Sequence, residues 1–334
     1  MIFKLYPLII STGFCAIPDN AALRTSRDCM RRLTVTGTFD GVRENFDFYV
    51  DSESDNIGFR APYLGLAENN LILLGRTYVD PRIQIPRIPE IPRFYEMGPT
   101  LAIGYNSEFA QTVGSLMLVP RQPDEYDTSF QMILSPTDPE SFCMDRQLVV
   151  TSVDTSLPGR YEFEVEVSLI ANDSGETIPL TTTAGGDGFA DQQTEAPHSI
   201  TGMYRISTFR PKMQLPAIIR QVIADAIRAE GLRYDPRLPG LNSLLEGCAD
   251  RISRLPTISF GIKRDRQTVG NIVLAPEDYI HVDRITGNCK VNMDVETIHD
   301  DHPSVYNYLG YSFLERVGTF FDYQNREIGF CEPN

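Results

Sequence analysis

The chain has no tryptophan and only four histidines in 334 residues. A histidine-dependent triad therefore has few candidates for its base, His198, His281, His299 and His302, and no G-x-S-x-G turn is present to carry the nucleophile. His299 and His302 sit with Asp300 and Asp301 in "TIHDDHP". Four ligands crowded on one short loop seldom converge on a single ion, so a solvated loop is the better reading. The glycine patterns of phosphate- and dinucleotide-binding loops are missing, as is any CxxC pair, and neither a cofactor nor a metal is expected. There is no Lys/Arg-rich run: acidic residues outnumber basic ones 45 to 30 and the net charge is −15, which argues against nucleic acid and anionic membrane as partners. No stretch reaches the roughly 18 apolar residues of a membrane span, and "GFCEPN" at the end has no hydrophobic tail.

What is present is a large apolar complement, 42% of residues, enough for about two domains of ordinary size. The opening "MIFKLYPLIISTGFCA" has one lysine, an apolar run from Leu5 to Ile10, and small residues at Gly13, Cys15 and Ala16. It reads either as a signal peptide over 1–16 or as an N-terminal strand. Six cysteines stand at 15, 29, 143, 248, 289 and 331, and loss of a leader with Cys15 would leave five, hence at most two disulfides and one thiol. One sequon, Asn172-Asp173-Ser174, is compatible with secretion.

Alternating polarity predicts strands at "RLTVTGTF", "NFDFYV", "GSLMLV", "RQLVVTSV", "YEFEVEVSLI", "PTISFGI" and "GTFFDY". In "YEFEVEV", Tyr161, Phe163, Val165 and Val167 point one way and three glutamates the other. One helix is predicted, in "LPAIIRQVIADAIRAEG", where Ile218, Ile219, Val222, Ile223, Ala226 and Ile227 form one apolar stripe and Gly231 can end it; its role is to cover a sheet. Prolines 81, 86, 89 and 92 keep residues 78–94 out of helix and central strand, leaving an extended surface segment, and the composition of 181–199 is that of a loop. The fold class is all-β with few helices.

The carboxylates remain as candidate chemistry, and here the chain resembles the eukaryotic pepsin-like aspartic peptidases. In "TGTFDGVRENFDFYVDSESDNIGF", Asp51 and Ser52 resemble the first two residues of that family's first-lobe Asp-Thr/Ser-Gly turn, after an apolar strand. Ala102-Ile103-Gly104 and Tyr308-Leu309-Gly310 resemble the hydrophobic-hydrophobic-Gly segment of each lobe. Phe320-Phe321-Asp322 and Ile328-Gly329-Phe330 resemble the final strands. The segment from Cys248 to Cys289 resembles one bounded by bonded cysteines in the second lobe, so the resemblance implies a Cys248–Cys289 disulfide, worth roughly 3–4 kcal/mol in the chain-entropy account.

The resemblance implies a bilobal fold with a shortened N-terminal lobe over 17–158, where the proline-rich segment 78–94 replaces the flap, and a C-terminal lobe with a few short helices over 159–334. It implies a secreted, endomembrane or vacuolar-lumen protein, a monomer, with a peptide or protein in the interlobe cleft. Asp51 is the candidate catalytic residue, and Ser52, Glu53 and Ser54 are candidate substrate contacts. The chemistry requires two carboxylates about 3 Å apart sharing one proton. Glu53 occupies the place of the turn's glycine, and the second turn falls either on "SITGMYRISTFRP", where Gly202 to Ile206 contains no acid, or on "IPLTTTAGG", where threonine replaces it. Displaced carboxylates at Asp187, Asp191 or Glu53 are the alternatives. Endopeptidase activity is therefore expected to be impaired or lost, with the cleft retained. An active peptidase using Asp51 with a displaced carboxylate, and a secreted β-rich structural protein, are the other readings.

Overall fold

The computed structural model describes residues 8–10, 34–39, 45–53, 71–73, 76–78, 100–120, 130–157, 160–180, 197–208, 210, 212–232, 244–245, 248–282, 289–293 and 307–334. In chain order these give β1 (Leu8–Ile10), β2 (Thr34–Phe39), β3 (Asn45–Asp51), β4 (Leu71–Leu73), β5 (Arg76–Tyr78), β6 (Thr100–Ala102), α1 (Glu108–Val113), β7 (Ser115–Pro120), β8 (Phe130–Leu134) and β9 (Val149–Ser152). The chain continues through β10 (Asp154–Leu157), β11 (Arg160–Ile170), β12 (Ser199–Ile206), α2 (Ala217–Ala229), β13 (Leu244–Leu245), β14 (Thr257–Arg264), β15 (Gln267–Leu274) and α3 (Pro276–Tyr279). Last come β16 (Ile280–Val282), β17 (Cys289–Val291), β18 (Asn307–Leu309), α4 (Tyr311–Leu314), β19 (Gly318–Asp322) and β20 (Glu327–Cys331).

Every stretch expected to be a strand from its alternation is one. The strands form a sheet ordered β5-β4-β2-β3-β6, a second ordered β15-β14-β11-β12-β18 with β10 on β11, a small β13-β17-β16 sheet, and a sheet ordered β1-β8-β7-β19-β20-β9. The last mixes strands from either end of the chain, across the 158/159 boundary expected between lobes. Leu8–Ile10, inside the stretch that could be a leader, pairs there with β8.

The inward residues of β11, Tyr161, Phe163, Val165 and Val167, are no more than 7% exposed. Helix α2 packs against β11 through buried Ile219, Ile223, Ala224 and Ile227. Each of the three isoleucines contributes about 1.5–3 kcal/mol at most. Gly231 ends the helix at φ +72°, a conformation that favours glycine, and Leu232 N–H then donates to Ile227 O. The short α1 has too few residues to show a helical period; Ser107 Oγ caps it by accepting from Ala110 N–H at 3.1 Å.

Two disulfides cross-link the chain. Cys248–Cys289 pairs as the resemblance implied, and Cys143–Cys331 closes a separation of 188 residues. Cys15 and Cys29 lie outside the described residues.

Candidate functional site

Among the named strands two pairs are parallel, and both lead to the site. Strand β3 runs beside β6 with Asp51 opposite Ala102, and Ile103 N–H donates to Asp51 O at 2.8 Å. Strand β12 runs beside β18 with Ile206 opposite Leu309, and Ser207 N–H donates to Leu309 O at 3.0 Å. Each half of the site is thus a strand that ends in a turn beside a hydrophobic-hydrophobic-Gly segment. The segment in the first half is braced from below: Tyr323 Oη donates to Ile103 O at 3.0 Å, and Tyr105 Oη donates to Glu327 O at 2.6 Å. Burial raises both phenols well above their ordinary value, so both stay neutral hydrogen-bond donors.

The two turns lock together reciprocally. Ser52 N–H donates to Thr208 Oγ1 (2.9 Å) and Thr208 N–H donates to Ser52 Oγ (3.1 Å). Ser52 Oγ in turn donates to Ile206 O (2.8 Å) and Thr208 Oγ1 to Val50 O (2.7 Å). Both side chains are buried, so water cannot substitute for these partners. The pattern makes Ser52 equivalent to Thr208 and Val50 to Ile206. Asp51 is therefore equivalent to Ser207.

That equivalence sets the register of the second turn. Gly202 to Ile206 lies within β12, and the turn begins one residue beyond, at Ser207-Thr208, with a hydroxyl where the first turn has a carboxylate. Sequence reading missed Ser207 and Thr208 because it searched for an acid. The available signal was the pattern of an apolar residue, any residue, then a hydroxyl, in Val50-Asp51-Ser52 and again in Ile206-Ser207-Thr208.

Asp51 is half-buried and folds back on its own turn, its Oδ1 accepting from Glu53 N–H at 2.8 Å. Glu53, in the place of the glycine, extends across the turns, where its Oε1 accepts a hydrogen bond from Ser207 Oγ. Arg210 borders this contact. Its Nε is 3.9 Å from Glu53 Oε1, its backbone N–H donates to Ser207 Oγ at 3.1 Å, and its guanidinium lies 3.9 Å over the Tyr308 ring. Arg210 is held from behind, since Tyr311 N–H donates to its carbonyl and a Cβ on Gly310 would meet Arg210 O at 2.7 Å and Lys212 O at 2.2 Å. The site thus brings together Asp51, Ser52, Glu53, Ser207, Thr208 and Arg210. Ser54, Asp187, Asp191, the "TIHDDHP" loop and residues 79–94 lie outside the described residues. Among the described residues no group of three or more His, Cys, Asp or Glu is arranged to hold a metal ion.

Chemically, two carboxylates, one guanidinium and three hydroxyls converge here, two of the hydroxyls engaged in the Ser52–Thr208 lock and the third, on Ser207, turned to Glu53. An acid pair that shares a proton depends on mutual repulsion to keep one member protonated. In this site the position opposite Asp51 offers a hydroxyl, and the second carboxylate is matched by a nearby cation.

Neither a protein-family profile nor a curated protein matches the sequence. Among solved structures, an aspartic proteinase from Irpex lacteus superposes with a TM-score of 0.62, covering 91% of this chain and 94% of that one at 12% identity. The fold is that of the pepsin-like aspartic proteinases. Identity this low carries the fold alone, and it agrees with the mostly β sheets and the paired parallel strands at the two turns.

Proposed function

We propose that this chain is a pepsin-fold protein without endopeptidase activity that uses the cleft between its two lobes, 17–158 and 159–334, to hold a peptide or protein segment. The observation that carries the reading is Ser207. The reciprocal Ser52–Thr208 contact keeps the two turns face to face, yet the residue equivalent to Asp51 has no carboxyl group. A serine hydroxyl cannot share a proton with Asp51 as a second carboxyl does, so activation of a water as nucleophile loses one of its two acids. The binding surface does not depend on that acid. The two disulfides favour a secreted or lumenal location.

One observation favours a second reading. Glu53 reaches Ser207 and so brings an acid to the second turn by another route, which an active peptidase could use with Asp51. The two readings separate in one experiment. Fluorophore-labelled, carboxymethylated casein is titrated with the purified protein at pH 3 to 6, with anisotropy reporting binding and gel analysis reporting cleavage, with and without pepstatin. Our reading expects binding of intact casein and no pepstatin-sensitive fragments. Fragments that vanish with pepstatin and in both Asp51→Asn and Glu53→Gln establish the second reading instead.

A further inference from the structure

A pocket of about 610 Å³ lies away from the interlobe turns, and none of Asp51, Ser52, Glu53, Ser207 or Thr208 lines it. Its size is within the ordinary range of binding pockets. One wall is β15 with the Glu315-Arg316-Val317 turn; the other is the Met144–Gln147 segment with Glu332 and Pro333. The second wall is fixed in place by the Cys143–Cys331 disulfide and by Met144 N–H donating to Glu332 O at 2.8 Å. Strand β15 is the end strand of its sheet among the described strands.

Two features of this pocket point to an occupant. The first is apolar exposure: Met144 (44% exposed) and Val273 (54%) both line it, and Val269 (46%) lies four residues earlier in the same end strand. Exposed apolar side chains beside an unpaired strand edge offer both contact area and backbone hydrogen bonds to an incoming extended chain. The second is charge. Asp145, Asp278, Glu315 and Glu332 line the pocket against one cation, Arg316, which already lies 3.4 Å from Asp278. Asp145 and Glu332 are exposed and have no ion-pair partner among the described residues. A second copy of the chain fits poorly, because it would bring another carboxylate rim and a net charge of −15 to the same place.

We propose that this pocket docks an extended, basic-apolar segment of a partner protein. The segment adds its backbone to the β15 edge, seats an apolar side chain between Met144 and Val273, and aims Lys or Arg side chains at Asp145 and Glu332. The site is independent of the interlobe cleft, and its test does not depend on whether that cleft binds or cleaves.

The test uses the full chain and two labelled hexapeptides, Arg-Val-Arg-Val-Arg-Val and its counterpart with glutamate in place of arginine, followed by fluorescence anisotropy at low salt. The basic peptide is expected to bind and the acidic one not to bind. The double variant Asp145→Asn with Glu332→Gln weakens binding about five- to tenfold, as expected for two solvent-exposed ion pairs. Val273→Asp, or Val273→Ser should the aspartate perturb folding by circular dichroism, weakens it at least as much, and Glu53→Gln in the interlobe site leaves it unchanged. The proposal is overturned if the basic peptide fails to bind up to about 1 mM, if the pocket variants bind it as well as wild type does, or if Glu53→Gln abolishes binding. A dimer in sedimentation that Val273→Asp dissociates also overturns it, by assigning the surface to a second copy.

Discussion

Ser52 and Thr208 each use one hydroxyl twice, as acceptor for the opposite N–H and donor to the opposite carbonyl. Thr208→Val keeps the shape and removes both functions, stranding Ser52 N–H and Val50 O in a buried site. We expect it to cost about 2–6 kcal/mol in denaturant unfolding, at about 1–3 kcal/mol per stranded group, whereas Thr208→Ser costs well under half of that. Ser207→Asp probes the neighbouring position. It sets a second carboxylate beside Glu53 and removes the hydroxyl that donates to it. Two ionised carboxylates this close repel each other in the folded state, so the loss of stability is largest near pH 7 and shrinks as the pH falls and one of the pair takes a proton. A Ser207→Asp variant whose deficit is the same at pH 4 and pH 7 would contradict the Glu53–Ser207 contact. Asp51 was legible in the sequence because an apolar strand ends on an acid followed by a hydroxyl. Ser207 was not, because no single residue type marks a position whose defining acid has been replaced.

At the scale of elements, Glu166 of β11 ties three strands together. It accepts from Ser199 Oγ of β12 at 2.5 Å and pairs with Lys263 Nζ of β14 at 2.9 Å. The Ser199 bond, then the Lys263 bond, lowers its pKa from the ordinary 4.5. A lowered folded pKa contributes stability that is present above the unfolded value and disappears as the pH falls through the folded one. Glu166→Gln should therefore reduce stability by about 1 kcal/mol at pH 7, and the gap from wild type should close below the ordinary glutamate range in a pH series of urea midpoints. Strand elements were largely readable because β2, β3, β11 and β14 alternate apolar and polar residues and β7 is a short apolar run, buried on both faces, and α2 was readable from its stripe and Gly231. Helix α1 escaped because six residues give no period. The parallel pairing of β3 with β6 and of β12 with β18 joins segments far apart in sequence, and only the glycine segments hinted at it.

Across the whole molecule, the sheet ordered β1-β8-β7-β19-β20-β9 draws on both ends of the chain, and Cys143–Cys331 pins its far edge. Closing a loop that long is worth about 5 kcal/mol in the chain-entropy account, against roughly 3–4 for Cys248–Cys289. Replacing Cys143 and Cys331 together by alanine should lower the unfolding midpoint more than replacing Cys248 and Cys289, and non-reducing peptide maps should recover both pairs from the native protein. Of these two, the sequence offered only Cys248–Cys289, since Cys143 and Cys331 are separated by most of the C-terminal half with no local motif between them. Whether a peptide between the two turns is held or cut is read by mass spectrometry of casein incubated with the purified protein at pH 3 to 6, counting new chain termini. With a hydroxyl at Ser207 in place of the second acid, no termini beyond those of a buffer control are expected at any pH. New termini that disappear with pepstatin and in Asp51→Asn would show that the two turns still cut.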